Sequence, residues 1–110
     1  MSKSIRKLYL GAYREGPMLY AVHCFAEHFP NAFAEPRFGE HRAYWDASVC
    51  TLMSSQLFAA DGVTLVGSFF VMRAQSLEQV RAFSLNDPFN KASLWKRIEI
   101  NPINVRVVNL

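Results

Sequence analysis

A chain of 110 residues is long enough for one domain with its own core, without disulfide or metal staples. Apolar residues make up 51% and charged residues 19%, which excludes a disordered chain, and no apolar run reaches the ~20 residues of a bilayer span. The formal charge of +3 comes wholly from the first residues, where Lys3, Arg6, Lys7 and Arg14 stand against Glu15. From residue 18 onward, eight Lys/Arg and eight Asp/Glu cancel, so a nucleic-acid partner lacks its clustered cations.

Residues 1–17 are therefore expected to form a basic, partly flexible leader, and residues 18–110 a single neutral domain. The leader has no uninterrupted apolar stretch of the kind a signal peptide needs. Two cysteines, Cys24 and Cys50, are too few for a secreted disulfide framework and read as buried free thiols. A cytoplasmic location is expected.

The run "MLYAVHCF" (Met18 to Phe25) is rich in β-formers and too short for a helix, so a strand is expected. After a loop holding Pro30 and Asn31, Pro36 sits where the first turn of a helix tolerates proline. Phe38, His41, Trp45, Val49 and Leu52 recur at steps of three and four, which predicts a helix from Pro36 to about Val49 with that stripe buried. Glu40, Arg42 and Asp46 fall away from it. Strand character around Met53 to Ala59 leads to Asp61–Gly62, a turn signal. "TLVGSFFVMRA" (Thr64 to Ala74) predicts a long strand in which Gly67 marks a bulge or a close backbone approach. Ser76 and Gln79 form a capping box opening a helix with Leu77, Val80 and Phe83 on its buried side. Because a residue before proline leaves the α region, that helix must stop by Asn86 and Asp87 must be extended. "LWKRIEI" alternates into a further strand, and "VRVV" adds an edge.

The order strand–helix–strand–strand–helix–strand defines an α+β fold, a ferredoxin-like βαββαβ sandwich. Two helices cover one sheet face, yet "SFFVM" puts Phe69 and Val71 on one side and Phe70 and Met72 on the other. Apolar residues on both faces imply that both are covered. A homodimer joined through the second sheet face is expected.

His41 interrupts an apolar stripe, where an imidazole needs hydrogen-bond partners. It is either a satisfied core histidine or a general base. Asp87 is either a turn-forming residue or the partner carboxylate, because the end of the second helix can approach the first in this topology. His23, His28 and His41 complete no recognisable ligand set, so no metal is expected. Tyr20 is a core aromatic that a pocket between helices and sheet would recruit, and Arg37 could hold a substrate carboxylate.

The stretch from Asp61 to Ile103, with its Ser76-initiated helix, Asp87-Pro88-Phe89 and the E-I-x-P of Glu99 to Pro102, resembles the second half of the YCII-related (YciI-like) domain family. "MLYAVHCF" and "EHRAYW" resemble that family's first strand and histidine-bearing helix. The resemblance implies a dimeric α/β-barrel type of the ferredoxin-like fold, as in muconolactone isomerases, and a site built on His41 and Asp87. It also places Ser55 and Phe89 at the presumed pocket, with Ser55–Gln56 where the family has Gly-Pro, Phe38 where it has Arg, and Ser93 where it has Gly. Two readings follow. One is a small dimeric enzyme, a cofactor-independent isomerase or a dehalogenase-like lyase, moving a proton on a small oxygenated organic molecule. The other is a non-catalytic ligand-binding or protein-interaction module of the same fold.

Overall fold

The computed structural model describes residues 7–8, 18–26 and 35–109. Its elements in chain order are β1 (Lys7–Leu8), β2 (Met18–Phe25), α1 (Arg37–Asp46), β3 (Thr51–Phe58), β4 (Leu65–Ala74), α2 (Leu77–Leu85), α3 (Pro88–Lys91), β5 (Arg97–Ile103) and β6 (Val108–Asn109). The four long strands form an antiparallel sheet in the order β3-β4-β2-β5. Each helix-bridged pair, β2 with β3 and β4 with β5, is separated by one intervening strand. This is the split arrangement of the ferredoxin-like sandwich, and the fold class is α+β as expected.

Alternation in the strands sets the two faces. Tyr20, Val22 and Cys24 of β2 and Phe70 and Met72 of β4 are buried toward the helices. They meet Phe38 and Trp45 of α1, Val80 of α2, Phe89 and Trp95, with Ile98 and Ile100 of β5 packed alongside. On the other face Ala21, His23 and Phe25 lie beside Phe69 and Val71, all half-buried. His23 stacks on Phe25 with centroids 3.7 Å apart, and Arg97 lies over that phenyl ring at 4.1 Å. The second face therefore carries apolar residues around His23, with Arg97 and Glu99 of β5 in register beside them, and no helix of this chain covers it among the described residues.

Several sequence expectations are corrected in detail. Helix α1 ends at Asp46 rather than Val49, and Val49 is 95% exposed. Its stripe beyond Trp45 is coincidental, because the chain turns at residues 47–50 and Leu52 already belongs to β3. A third, four-residue helix follows Asp87, too short to show any periodicity in sequence. The last strand is only Val108–Asn109, and it pairs with Lys7–Leu8 instead of extending the main sheet. The strand it would have joined, β5, carries Arg97, Glu99 and Pro102, a charged and proline-bearing edge that discourages pairing. Ser76 accepts from the Gln79 amide as the capping box requires, while the Gln79 side chain accepts from the Gln75 amide, one residue earlier than expected.

Gly67 marks a close approach. A Cβ built there would run into the Cys24 carbonyl oxygen of the neighbouring strand, which is backbone and cannot swing aside. Gly67→Ala is expected to destabilise the fold by about 1–3 kcal/mol, measured by urea unfolding, through forced separation of β2 from β4. An unchanged midpoint would show that the strands part freely here.

Candidate active site

Helix α2 stops at Leu85, with Asn86 as its C-cap. Asp87 then adopts an extended conformation (φ −60°, ψ 130°), as its place before Pro88 demands. Its carboxylate caps α3 by accepting from the Phe89 amide at 2.9 Å. The same carboxylate turns inward to α1. His41 Nδ1 lies 2.9 Å from both carboxylate oxygens, Trp45 Nε1 lies 3.0 Å from Oδ2 and Trp95 Nε1 lies 3.3 Å from it. The group is 1% exposed and His41 2%.

Three neighbours of this carboxylate, the Trp45 and Trp95 indoles and the Phe89 amide, can only donate, so a proton on Asp87 could be accepted by His41 Nδ1 alone. Burial pushes its carboxyl up, but the hydrogen bond and charge of His41, the Trp45 indole and the Phe89 amide outweigh burial and hold it below the ordinary range. An ionised Asp87 can only accept, which assigns the Nδ1 proton to His41 and leaves Nε2 as the lone-pair nitrogen. Nε2 lies 3.4 Å from the hydroxyl of Ser68, a buried residue of β4. That hydroxyl can donate to a neutral ring and accept from a protonated one.

Aromatic rings enclose the imidazole. Phe89 stacks on it with centroids 4.7 Å apart and planes at 10°, and Phe70 and Trp95 meet it edge-on at 5.8 and 5.3 Å. On its remaining side His41 borders a cleft of about 230 Å³. Phe38, Arg42 and Asp46 of α1 line it, with Ser54, Ser55 and Gln56 of β3 and Ser68 and Phe70 of β4. The opening therefore offers an imidazole, hydroxyl and amide groups, two aromatic walls, and a carboxylate and a guanidinium from α1.

The six candidate residues separate into three groups. His41 and Asp87 are in direct contact, and Ser55 lines the cleft while its hydroxyl donates to the Phe69 carbonyl at 2.8 Å. Phe89 lies beneath the imidazole rather than in the opening. Tyr20 and Arg37 are not among the cleft's lining residues. Tyr20 is buried in the core on β2, and Arg37 pairs with Glu35 at 3.2 Å. Arg42, placed off the buried stripe by sequence, is the arginine at the cleft, its guanidinium 5.8 Å from the centre of the Phe38 ring. The cleft sits at the border of the stripe beside β3, where long side chains from a helix flank can reach it.

Three contributors have no motif to announce them. Trp45 reads as a core aromatic, Trp95 as part of a strand, and Ser68 as one polar residue in an apolar run. No group of three His, Cys, Asp or Glu side chains arranged for a metal occurs among the described residues, and His28 lies outside them. His23 faces away from His41, on the opposite side of the sheet. Cys24 and Cys50 are free; burial, with the charge of Asp87 adding, pushes the Cys24 thiol far up, which leaves it inert as a nucleophile. Among the described residues no helix is long and apolar enough to cross a membrane.

These features define a ferredoxin-like α+β protein with a buried His–Asp pair opening on a small cleft. Among solved structures the chain is similar to a 5-chloro-2-hydroxyhydroquinone dehydrochlorinase from Burkholderia phenoliruptrix AC1100, in complex with 2,5-dihydroxybenzoquinone. The match has a TM-score of 0.64 and 25% identity, and covers 76% of this chain and 91% of that one. No protein-family model and no curated protein matches the sequence.

Proposed function

We propose that this chain is a small enzyme of the YCII-related family in which His41, oriented by Asp87, moves a proton on a small oxygenated ring and expels a leaving group such as chloride. The observation that carries the reading is the commitment of Nδ1 to a buried carboxylate, which leaves Nε2 beside the cleft as the base. The likeness to a dehydrochlorinase favours elimination over isomerisation. From the keto tautomer, in which one O–H proton has moved to the chlorine-bearing ring carbon, Nε2 takes a second O–H proton; that bond's electron pair forms C=O, the adjacent ring double bond shifts toward the chlorinated carbon, and chloride leaves with the C–Cl pair. The net change is loss of HCl, so no oxidant or reductant enters. Asp87 stabilises the imidazolium that results, and Ser54 and Gln56, which line the cleft beside Phe70 and Ser68, would hold ring oxygens. A cleft of about 230 Å³ is smaller than the ~300–1,000 Å³ of sites for drug-sized ligands, in keeping with a single substituted ring.

The test is chloride release from 5-chloro-2-hydroxyhydroquinone, followed with a halide electrode and by quinone absorbance. Catalysed release supports the reading. Binding of 2,5-dihydroxybenzoquinone without any release would favour the ligand-binding module instead.

The apolar second sheet face supports a further part of the proposal, a homodimer. Ala21, Phe25, Phe69 and Val71 line a surface that no helix of this chain covers among the described residues. Sedimentation at micromolar concentration is expected to give a species of twice the 12.5 kDa chain mass, and a clean single-chain species would refute it.

A further inference from the structure

We infer that Trp45 and Trp95 are positioning residues for the His41 base: their indole N–H groups converge on Oδ2 of Asp87 and keep that carboxylate a pure acceptor, so that the ring proton stays on Nδ1. The inference rests on the proposed role of His41, and it adds two residues to which neither motif nor resemblance assigns any role.

The geometry distinguishes this from ordinary core packing. An indole N–H buried in a core needs one acceptor, and a backbone carbonyl serves as well as any. Here both tryptophans of the chain, arriving from different segments, use the same carboxylate oxygen, at 3.0 and 3.3 Å. Oδ1 meanwhile takes the Phe89 amide, and His41 bridges the two oxygens. Without the indoles, Oδ2 would face His41 alone in a site shut off from water. The proton shared along that line would then shift toward Asp87, because a desolvated carboxylate with few donors binds protons more readily. A carboxylic acid at Asp87 would move the ring lone pair to Nδ1 and leave no base at the cleft. The rings also fix direction: Trp45 lies flat on Phe70 with centroids 3.7 Å apart, and Trp95 stands edge-on to both His41 and Phe89. The other titratable groups near this carboxylate are Tyr44 on α1 and Cys24 on β2, both of which burial, with the carboxylate's charge adding, biases toward their protonated forms.

The experiment is nuclear magnetic resonance on wild type, Trp45→Phe and Trp95→Phe, with the Asp87 carboxyl carbon and the His41 ring nitrogens labelled. In the neutral ring of wild type, Nε2 is expected to resonate as an unprotonated nitrogen and Nδ1 as a protonated one. Each Phe variant is expected to raise the Asp87 titration midpoint by about one unit, the equivalent of one lost hydrogen bond to a charge. The ratio of the Nδ1–H to the Nε2–H tautomer should fall by up to about tenfold, the same one-unit change. Where a Phe variant fails to fold, replacing both tryptophans with 3-benzothienylalanine keeps the ring shape and puts sulfur in place of N–H, with the same expected shifts. Folded variants whose midpoint and ring pattern match wild type would overturn the inference. None of these readouts depends on turnover, so an inactive wild type with the expected shifts would sink the enzymatic reading while leaving the role of the indoles intact.

Discussion

Replacing Asp87 with alanine is expected to lower the free energy of unfolding by about 3–5 kcal/mol, measured by urea titration followed by tryptophan fluorescence. The loss arises because four buried donors, from His41, Trp45, Trp95 and Phe89, lose their common acceptor together. Asparagine retains one acceptor oxygen and should cost less, but it brings an amide that must face donors. The two states of the carboxyl also predict a pH dependence. Its folded value lies below the ordinary range, and the unfolded value is about 3.9. The group therefore contributes stability above about pH 4, and that contribution is lost as pH falls through the folded value. The gap between wild type and Asp87→Asn should be widest near neutrality and narrow in acid. A gap that stays constant into acid would mean that the carboxyl is not held ionised by its neighbours.

His41→Gln is expected to reduce the rate of chloride release from 5-chloro-2-hydroxyhydroquinone by roughly 10²–10⁴-fold, the usual contribution of a positioned general base. Glutamine can still donate its amide to Asp87, so the carboxylate keeps a partner and the fold should survive. The change should fall on kcat more than on KM, since the proton transfer belongs to the transition state rather than to binding. A variant retaining activity within tenfold of wild type would remove His41 from the chemistry and return it to the core.

The strand–helix order was legible because each long element carries its own period or cap. β2 and β4 are runs of β-formers, α2 has Ser76 as its cap, and Pro88 forces the chain out of the α region. The partnership of His41 with Asp87, 46 residues apart, was open to argument only through topology: helices on one face of a split sandwich bring a helix end to its neighbour's flank. What stayed hidden depended on direction rather than placement. A tryptophan on a buried stripe announces burial, but not the atom to which its N–H points. Trp45 could therefore be assigned to the core and not to the carboxylate. Arg37 and Arg42 posed the same difficulty in reverse, since both are helix arginines near the histidine. A local carboxylate, Glu35, engages the first, and only the second lines the opening. Ser93 shows a further limit: it adopts φ 58°, a left-handed value that favours glycine, at the position where the family resemblance calls for one.

The hydrophobic effect is non-directional, so burial against Phe70 and Phe89 alone sets the angle of α1 less tightly than hydrogen bonds do. Asp87 removes that freedom. Donors reach it from two turns of α1, from the start of α3 and from the loop ahead of β5, and each hydrogen bond constrains a direction as well as a distance. The carboxylate thus acts as a geometric pin for three pieces of backbone, and the opening beside His41 takes its shape from how that pin is seated. Reshaping the opening for a different ring by substitutions along β3 should therefore leave the base in register, whereas the same number of changes around the pin would shift the base and the walls together.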